Sequence, residues 1–386
     1  MSQDAIRRVY DVLVVGGGIA GASAAAQLAA TQAVAVIERE HQPGYHATGR
    51  SAALFSEIYG GAQIRALSRA SRDFLFAPPA GFTGARLVSP RGALHIARAD
   101  QRDRFEQFAA LPDVHAGTRQ VDAARARALS PLLRPGYAVT ALHEPLAHDI
   151  DVSALHQGFL RQLAQAGGRL FLDHDVVSLE RRGDCWHVAT SKGEFAAPVL
   201  VNAAGAWADS LARRAGVAPI GLAPCRRTVV LVEAPQTPDI VNAPMTLDID
   251  EQFYFKPDAG LLLLSPGDET PLDPCDVQPD ELDVATAIAR VEQATLLQVT
   301  RIRAKWAGLR SFVTDRTPCV GYDAASPGFF WLAAQGGYGI QTAPAMGQLA
   351  AALIQHRAVP DVLLWQGVEP QKLSPSRQSR APAFAR

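Results

Sequence analysis

The chain has 386 residues and a mass of 41.2 kDa, more than one hydrophobic core usually organises, so two lobes with one large site between them are expected. Apolar residues make up 48% and charged residues 19%, the balance of a self-folding globular protein rather than a disordered or fibrous one. Lys plus Arg number 37 against 38 for Asp plus Glu, and no segment concentrates one sign, which argues against nucleic acid as a partner.

Tyr10 to Val15 reads as a short buried strand, Gly16 to Gly21 as a glycine turn, Ala22 to Ala30 as a helix and Val34 to Ile37 as a second strand, together a βαβ unit. Arg7 and Arg8 precede it, but Asp11 and the glycines at 16 to 18 break the apolar run that a twin-arginine signal requires. Every hydrophobic run is interrupted before it could span a bilayer, so a cytoplasmic protein with no transmembrane segment is expected. Thr48 to Leu54 looks like the start of a helix, and Arg65 to Phe76 has helical apolar spacing before the Pro78-Pro79-Ala80-Gly81 break.

Shorter strands and charged helices follow from Arg86 to about Leu142, and Val152 to Ala166 is an amphipathic helix closed by Gly167-Gly168. Leu170 to Leu172, Val176 to Leu179, Trp186 to Ala189 and Val199 to Val201 read as strands, a hairpin insertion returning to a parallel sheet. Residues 223 to about 305 are again strand-rich and end in a helix across Glu281 to Leu297. Phe329 to Ala333 is then a buried strand, Gly336 to Gly339 a glycine turn and Ala343 to Gln355 a helix, before a Ser/Pro/Arg-rich tail expected to be disordered.

This order predicts an α/β protein. A discontinuous Rossmann-type domain takes residues 1–85, 143–222 and 306–373; a β-sheet-based substrate domain takes 86–142 and 223–305; the tail is 374–386. Cys185, Cys225, Cys275 and Cys319 are far apart, without a CxxC pair or a His at zinc-ligand offsets, and read as reduced thiols with no metal.

The chemistry begins at Gly16-Gly17-Gly18-Ile19-Ala20-Gly21, a GxGxxG run placed after a strand and before a helix. Gly16 permits the tight turn, Gly18 lets backbone approach a pyrophosphate, and Gly21 allows close helix–strand packing, while the helix N-terminus offers free N–H groups to the anion. Glu38 ends the second strand, where a carboxylate accepts from a ribose 2′-hydroxyl and repels a 2′-phosphate. A nicotinamide enzyme would leave the distant 336 to 339 turn unexplained. FAD, whose ring needs protein groups from several remote segments, fits better.

Four further segments make the pattern more specific: Gly44 to Ala53 (GYHATGRSAA), Val201 to Trp207 (VNAAGAW), Trp306 to Ser311 (WAGLRS) and Ala334 to Thr342 (AQGGYGIQT). With them the chain resembles the D-amino acid oxidase superfamily of flavoproteins over nearly its whole length, from Asp11 to about Pro375, and within it the bacterial D-arginine dehydrogenase type. The resemblance implies non-covalent FAD, with Glu38 and Arg39 at the adenosine ribose, Val177 near the adenine, and His46, Thr48, Gly49, Arg50, Ser51 and Ala52 along the pyrophosphate and flavin. Ile19, Ala20, Ala204, Gly205, Trp207 and Gly308 would also approach the cofactor. Gly336, Gly337, Tyr338, Gly339, Ile340, Gln341 and Thr342 would cap the pyrimidine side of the ring, where the N-terminus of the helix from Ala343 favours the reduced anion.

The resemblance further implies that Arg227 and Arg310 grip a substrate carboxylate, with Tyr254 as an added donor and Tyr59 as an active-site or lid tyrosine. Arg226 is adjacent to Arg227, and strand alternation allows only one of the two to face the cleft. Two positions depart from the D-arginine enzyme: Leu54 stands where it has a histidine, and Ala93 where it has a glutamate that pairs with the guanidinium. An unpartnered cationic side chain would lose roughly 2–5 kcal/mol in a closed pocket, so a neutral substrate side chain is expected. His95 shares a face with Ala93 on a probable strand and could replace the lost polarity, but reads more simply as a structural histidine.

The expected reaction is oxidative deamination of a D-amino acid, with hydride transfer from Cα to flavin N5 giving an imino acid and then a 2-oxo acid and ammonia. The carboxylate grip serves equally for a secondary amine acid of the sarcosine or proline type and for a 2-hydroxy acid. A non-catalytic FAD-containing binding protein is the rival from another class, and the electron acceptor stays open between a quinone and oxygen.

Overall fold

The computed structural model describes residues 8–377. Among the described residues a six-stranded sheet runs in the order Arg169–Phe171, Val34–Ile37, Val12–Val15, Val199–Asn202, Phe329–Ala333 and Cys319–Tyr322, parallel except for the last pair. Val12–Val15 and Val34–Ile37 are continuous apolar runs with every residue buried, because a parallel sheet is covered on both faces. One face is covered by the alanine-rich Ile19–Leu28 helix and the Gly339–Ile354 helix, which cross so closely that a Cβ on Gly347 would lie 2.8 Å from the Ser23 carbonyl oxygen.

The second lobe is a nine-stranded sheet that brings together strands from remote parts of the chain. Its centre sets Ala93–Ala97 between Met245–Asp248 (parallel) and Thr140–Glu144 (antiparallel), and Tyr254–Asp258 lies next to Met245–Asp248. Its long edge pairs Ala223–Val232 with Ile302–Phe312. A small sheet of Leu54–Phe55, His148–Ile150 and Val88–Pro90 lies where the two lobes meet.

Four sequence expectations change. The boundary placed at 306 falls inside the 11-residue Ile302–Phe312 strand, whose pairing to Ala223–Val232 carries residues 306–312 into the large sheet. Thr48 to Leu54 forms no helix, since the Thr48 and Ser51 hydroxyls accept from the Ile19 and Ala53 N–H groups and draw the backbone into turns. The last long helix starts at Gly339 rather than Ala343 and contains Pro344 in its N-terminal half. The tail is ordered through Arg377, which donates to Asp315 and to the Thr317 carbonyl while Pro375 is buried; residues 378–386, like Arg7, lie outside the described residues.

Phe159 anchors the Val152–Gln165 helix beneath the glycine turn, stacked on Phe74 at 5.5 Å and edge-on to Phe82 at 5.1 Å, with no exposed surface. Phe159→Ala removes that ring from a closed aromatic cluster and is expected to destabilise the protein by about 3–5 kcal/mol, read from denaturant unfolding.

Candidate active site

Three overlapping cavities form one trough. The first, about 1110 Å³, runs from Glu38 and Val176 to Arg50; it shares Gly18, Thr48, Arg50, Gly205 and Gly308 with a second of about 920 Å³. That one shares Ser51, Tyr254, Arg310, Gly337 and Ile340 with a third of about 600 Å³ that ends at His95.

At the first end the glycine turn does what its sequence requires. Gly16 adopts φ +111°, and a Cβ there would lie 2.3 Å from the Ala203 carbonyl oxygen. A Cβ on Gly21 would lie 2.0 Å from the Gly16 carbonyl oxygen, so strand and helix close only over glycine. The Glu38 carboxylate accepts from the Gly17 N–H at 2.7 Å and the Glu40 N–H at 2.9 Å, which fixes its direction. From beneath, His156 Nε2 donates to the Gly17 carbonyl at 2.8 Å; burial pushes this imidazole's pKa down, so it is neutral.

The Arg39 guanidinium stacks 4.0 Å above Trp207 and bonds to Glu40, which also pairs with His46. Arg50 donates to the Val277 and Ala307 carbonyls and to Asp276, tying the 44–53 segment to the other lobe. Gly49 closes that segment's turn through a 2.8 Å bond to Gly44. Ala204 and Gly205 form the wall. Val177 is 62% exposed and does not line the trough; its neighbours His174, Asp175 and Val176 do, and a break in strand register between Val176 and Ser178 leaves residue 177 facing outward.

Ile19, Ala20, Ala52, Gly336, Gly339 and Ile340 line the middle. Gly337 lies against the Arg310 guanidinium so closely that a Cβ would be 2.8 Å from Nη1. Tyr338 packs behind, its ring 4.9 Å from Tyr59, and Thr342 is fully buried with its hydroxyl on the Tyr338 carbonyl, so neither lines the trough. Gln341 reaches the far end, where its amide accepts from the Ser56 N–H and donates to Ser68.

The two arginines differ. Arg310 is partly buried and lines the trough, its guanidinium accompanied by the Tyr59 hydroxyl at 3.5 Å, and among the described residues no carboxylate pairs with it. Beside it the Tyr254 hydroxyl is buried with no hydrogen-bond partner. Arg227 also lines the trough, but it donates to the Asp268 carbonyl at 2.8 Å and pairs with Glu269 at 3.2 Å. Arg226 points the other way, to Asp283, so the cleft-facing residue is Arg227.

Leu54 lines the far end as expected, whereas Ala93 is fully buried behind Met245, Leu247 and Tyr254. His95, which the sequence favoured as a structural histidine, lines that end, as do Met245, Leu247 and Ser56, which the sequence did not single out. The aliphatic pair carried no signal separating it from core, and His95 was visible only as a polar residue on the Ala93 face. Its Nε2 has no hydrogen-bond partner, and burial pushes its pKa down to about 4.

The long trough, the N–H groups at its glycine turn, the oriented Glu38 and the glycine-only walls fit an extended dinucleotide. The family model described as FAD dependent oxidoreductase matches residues 11–353, and the chain belongs to that family. FAD is therefore its cofactor. Glycine oxidase of Geobacillus kaustophilus is 24% identical over 90% of this chain and 93% of its own, and its crystal structure has a TM-score of 0.77 at 24% identity over 91% and 96%. Hydrogen cyanide synthase subunit HcnC of Pseudomonas aeruginosa is 25% identical over 92% of this chain and 94% of its own. The FAD-bound L-α-glycerophosphate oxidase of Mycoplasma pneumoniae has a TM-score of 0.79 at 18% identity, covering 90% and 95%.

Two substitutions separate the ends of the trough. Gly21→Val breaks the strand–helix contact, and the purified protein is expected to lose its flavin absorbance. Gly337→Ala is expected to keep FAD but displace Arg310, raising the substrate Kd at least about tenfold in titrations of flavin reduction.

Proposed function

We propose that this enzyme oxidises a D-amino acid with a neutral side chain to the imino acid, which water hydrolyses to a 2-oxo acid and ammonia. The observation that carries this reading is the partly buried Arg310 guanidinium, which no carboxylate pairs with among the described residues, next to the unpartnered Tyr254 hydroxyl in the pocket that opens onto the flavin trough. A substrate carboxylate completes both groups. Bidentate pairing to Arg310 with a third bond from Tyr254 fixes the rotation of the substrate, leaving the α-carbon directed toward the trough's middle section. Tyr59 keeps its proton at neutral pH, since burial raises its pKa, and holds Arg310 in place.

Arg227 serves as a second positive charge along the trough, already half neutralised by Glu269, so the anchor is Arg310 rather than an equal pair. FAD, when bound, accepts the hydride from Cα. Glycine oxidase among the relatives supports an amino acid as the substrate, and the D configuration rests on the GYHATGRSAA, WAGLRS and AQGGYGIQT segments. The trough leaves the final acceptor open to a quinone or oxygen, and the carboxylate grip also admits secondary amine acids and 2-hydroxy acids as the alternative substrates.

Anaerobic flavin bleaching by both enantiomers of the common amino acids, sarcosine, proline and 2-hydroxy acids tests the proposal. D-amino acids are expected to bleach the flavin fastest; bleaching by hydroxy acids alone would reject it. Arg310→Ala is expected to lower kcat/KM at least about a hundredfold with FAD content retained, the effect of removing one partner from a buried charge pair.

A further inference from the structure

We propose that Ser56, backed by Glu144, joins His95 to form a polar subsite that selects D-amino acids whose neutral side chains carry a hydrogen-bonding group. The proposal deepens the reaction above and rests on it. The rest of the far end is walled by Leu54, Met245, Leu247 and Ile340, and by Gln341, whose amide is engaged by Ser56 and Ser68.

Ser56 is buried in that wall, and its Oγ donates to Glu144 Oε2 at 2.7 Å. Its N–H is engaged by Gln341 at 3.0 Å and its Oγ also accepts a long bond from the Ile58 N–H at 3.4 Å, so the remaining lone pair of the hydroxyl is what is left to face a substrate. Glu144 is also buried and sits on the Thr140–Glu144 strand directly opposite Ala93. Its second oxygen accepts from the Glu57 N–H at 3.0 Å, no cation pairs with it among the described residues, and the charged neighbour acting on it is Glu57, of like sign. While Glu144 is ionised, the Ser56 proton is committed to it and the hydroxyl presents only lone pairs to the pocket.

Burial raises the Glu144 carboxyl to about 7, against the opposing pull of its hydrogen bonds from Ser56 and Glu57. Below that pH the protonated carboxyl can donate to Ser56, whose own O–H then turns into the pocket. Above it, Ser56 is an acceptor. His95 adds a neutral imidazole with an unpartnered Nε2 at the same end. Neither group meets the substrate as a full charge, which disfavours a cationic side chain. An aliphatic one leaves the His95 Nε2 without a partner and covers the remaining lone pair of Ser56. Hydroxyl and carboxamide side chains answer them.

The test uses holoenzyme and isosteric pairs, D-threonine with D-valine and D-asparagine with D-leucine, followed by anaerobic flavin reduction at pH 6 and pH 8. The polar member is expected to reduce the flavin with a rate constant over Kd at least about tenfold higher. Ser56→Ala brings that ratio close to one. Glu144→Gln keeps both buried hydrogen bonds, with its amide donating to Ser56, so the dependence of the ratio on pH disappears while flavin content holds. If Ser56→Ala fails to fold, the wild-type ratios and His95→Leu decide alone. Ratios near one or inverted in the wild type overturn the subsite and leave the oxidation standing; reduction by no D-amino acid overturns both.

Discussion

A guanidinium that is partly withdrawn from water with no carboxylate paired to it among the described residues is a costly arrangement, and the fold holds Arg310 in it by packing on the sides away from the trough. The Gly337 backbone lies flat against one side, Tyr59 closes another, and the Ile302–Phe312 strand that carries the arginine is locked along its length to Ala223–Val232. A side chain fixed this way loses little freedom when an anion arrives, so the binding free energy of the carboxylate is available to orient the reacting carbon. The same close packing explains why position 337 is glycine.

The two lobes divide the work by the kind of sheet each uses. The parallel sheet aims its glycine turn and the first turn of the Ile19–Leu28 helix at one side of the trough, where N–H groups meet phosphates. The mostly antiparallel sheet presents one face of alternating side chains, so His95, Met245, Leu247 and Tyr254 arrive together from three neighbouring strands. Between them, Arg50 and Trp306 stitch the lobes: Arg50 donates to carbonyls of the second lobe and accepts from Trp306 through its own carbonyl. One short segment, residues 44–53, thus lines the trough and joins both lobes.

Among the described residues, no helix is long and apolar enough to cross a membrane. The buried ionisable groups Glu144 and His95 lie at or behind the far end of the pocket, and the relatives include proteins named for different compounds, glycine and L-2-hydroxyglutarate.

The sequence by itself determined the cofactor half. The glycine turn, Glu38 and the Gly336 to Gly339 turn are local devices whose function is set by backbone conformation over a few residues, and they can be read wherever they occur. Arg310 was legible for the same reason, through the WAGLRS segment. The rest depended on pairing between strands remote in the chain. Only the tertiary structure showed that Arg227 is already matched to Glu269, that a register break leaves Val177 facing outward, and that Glu144 stands across from Ala93 with Ser56 in its reach. Register sets which face each residue takes, and it is fixed by long-range hydrogen bonds that no local pattern encodes.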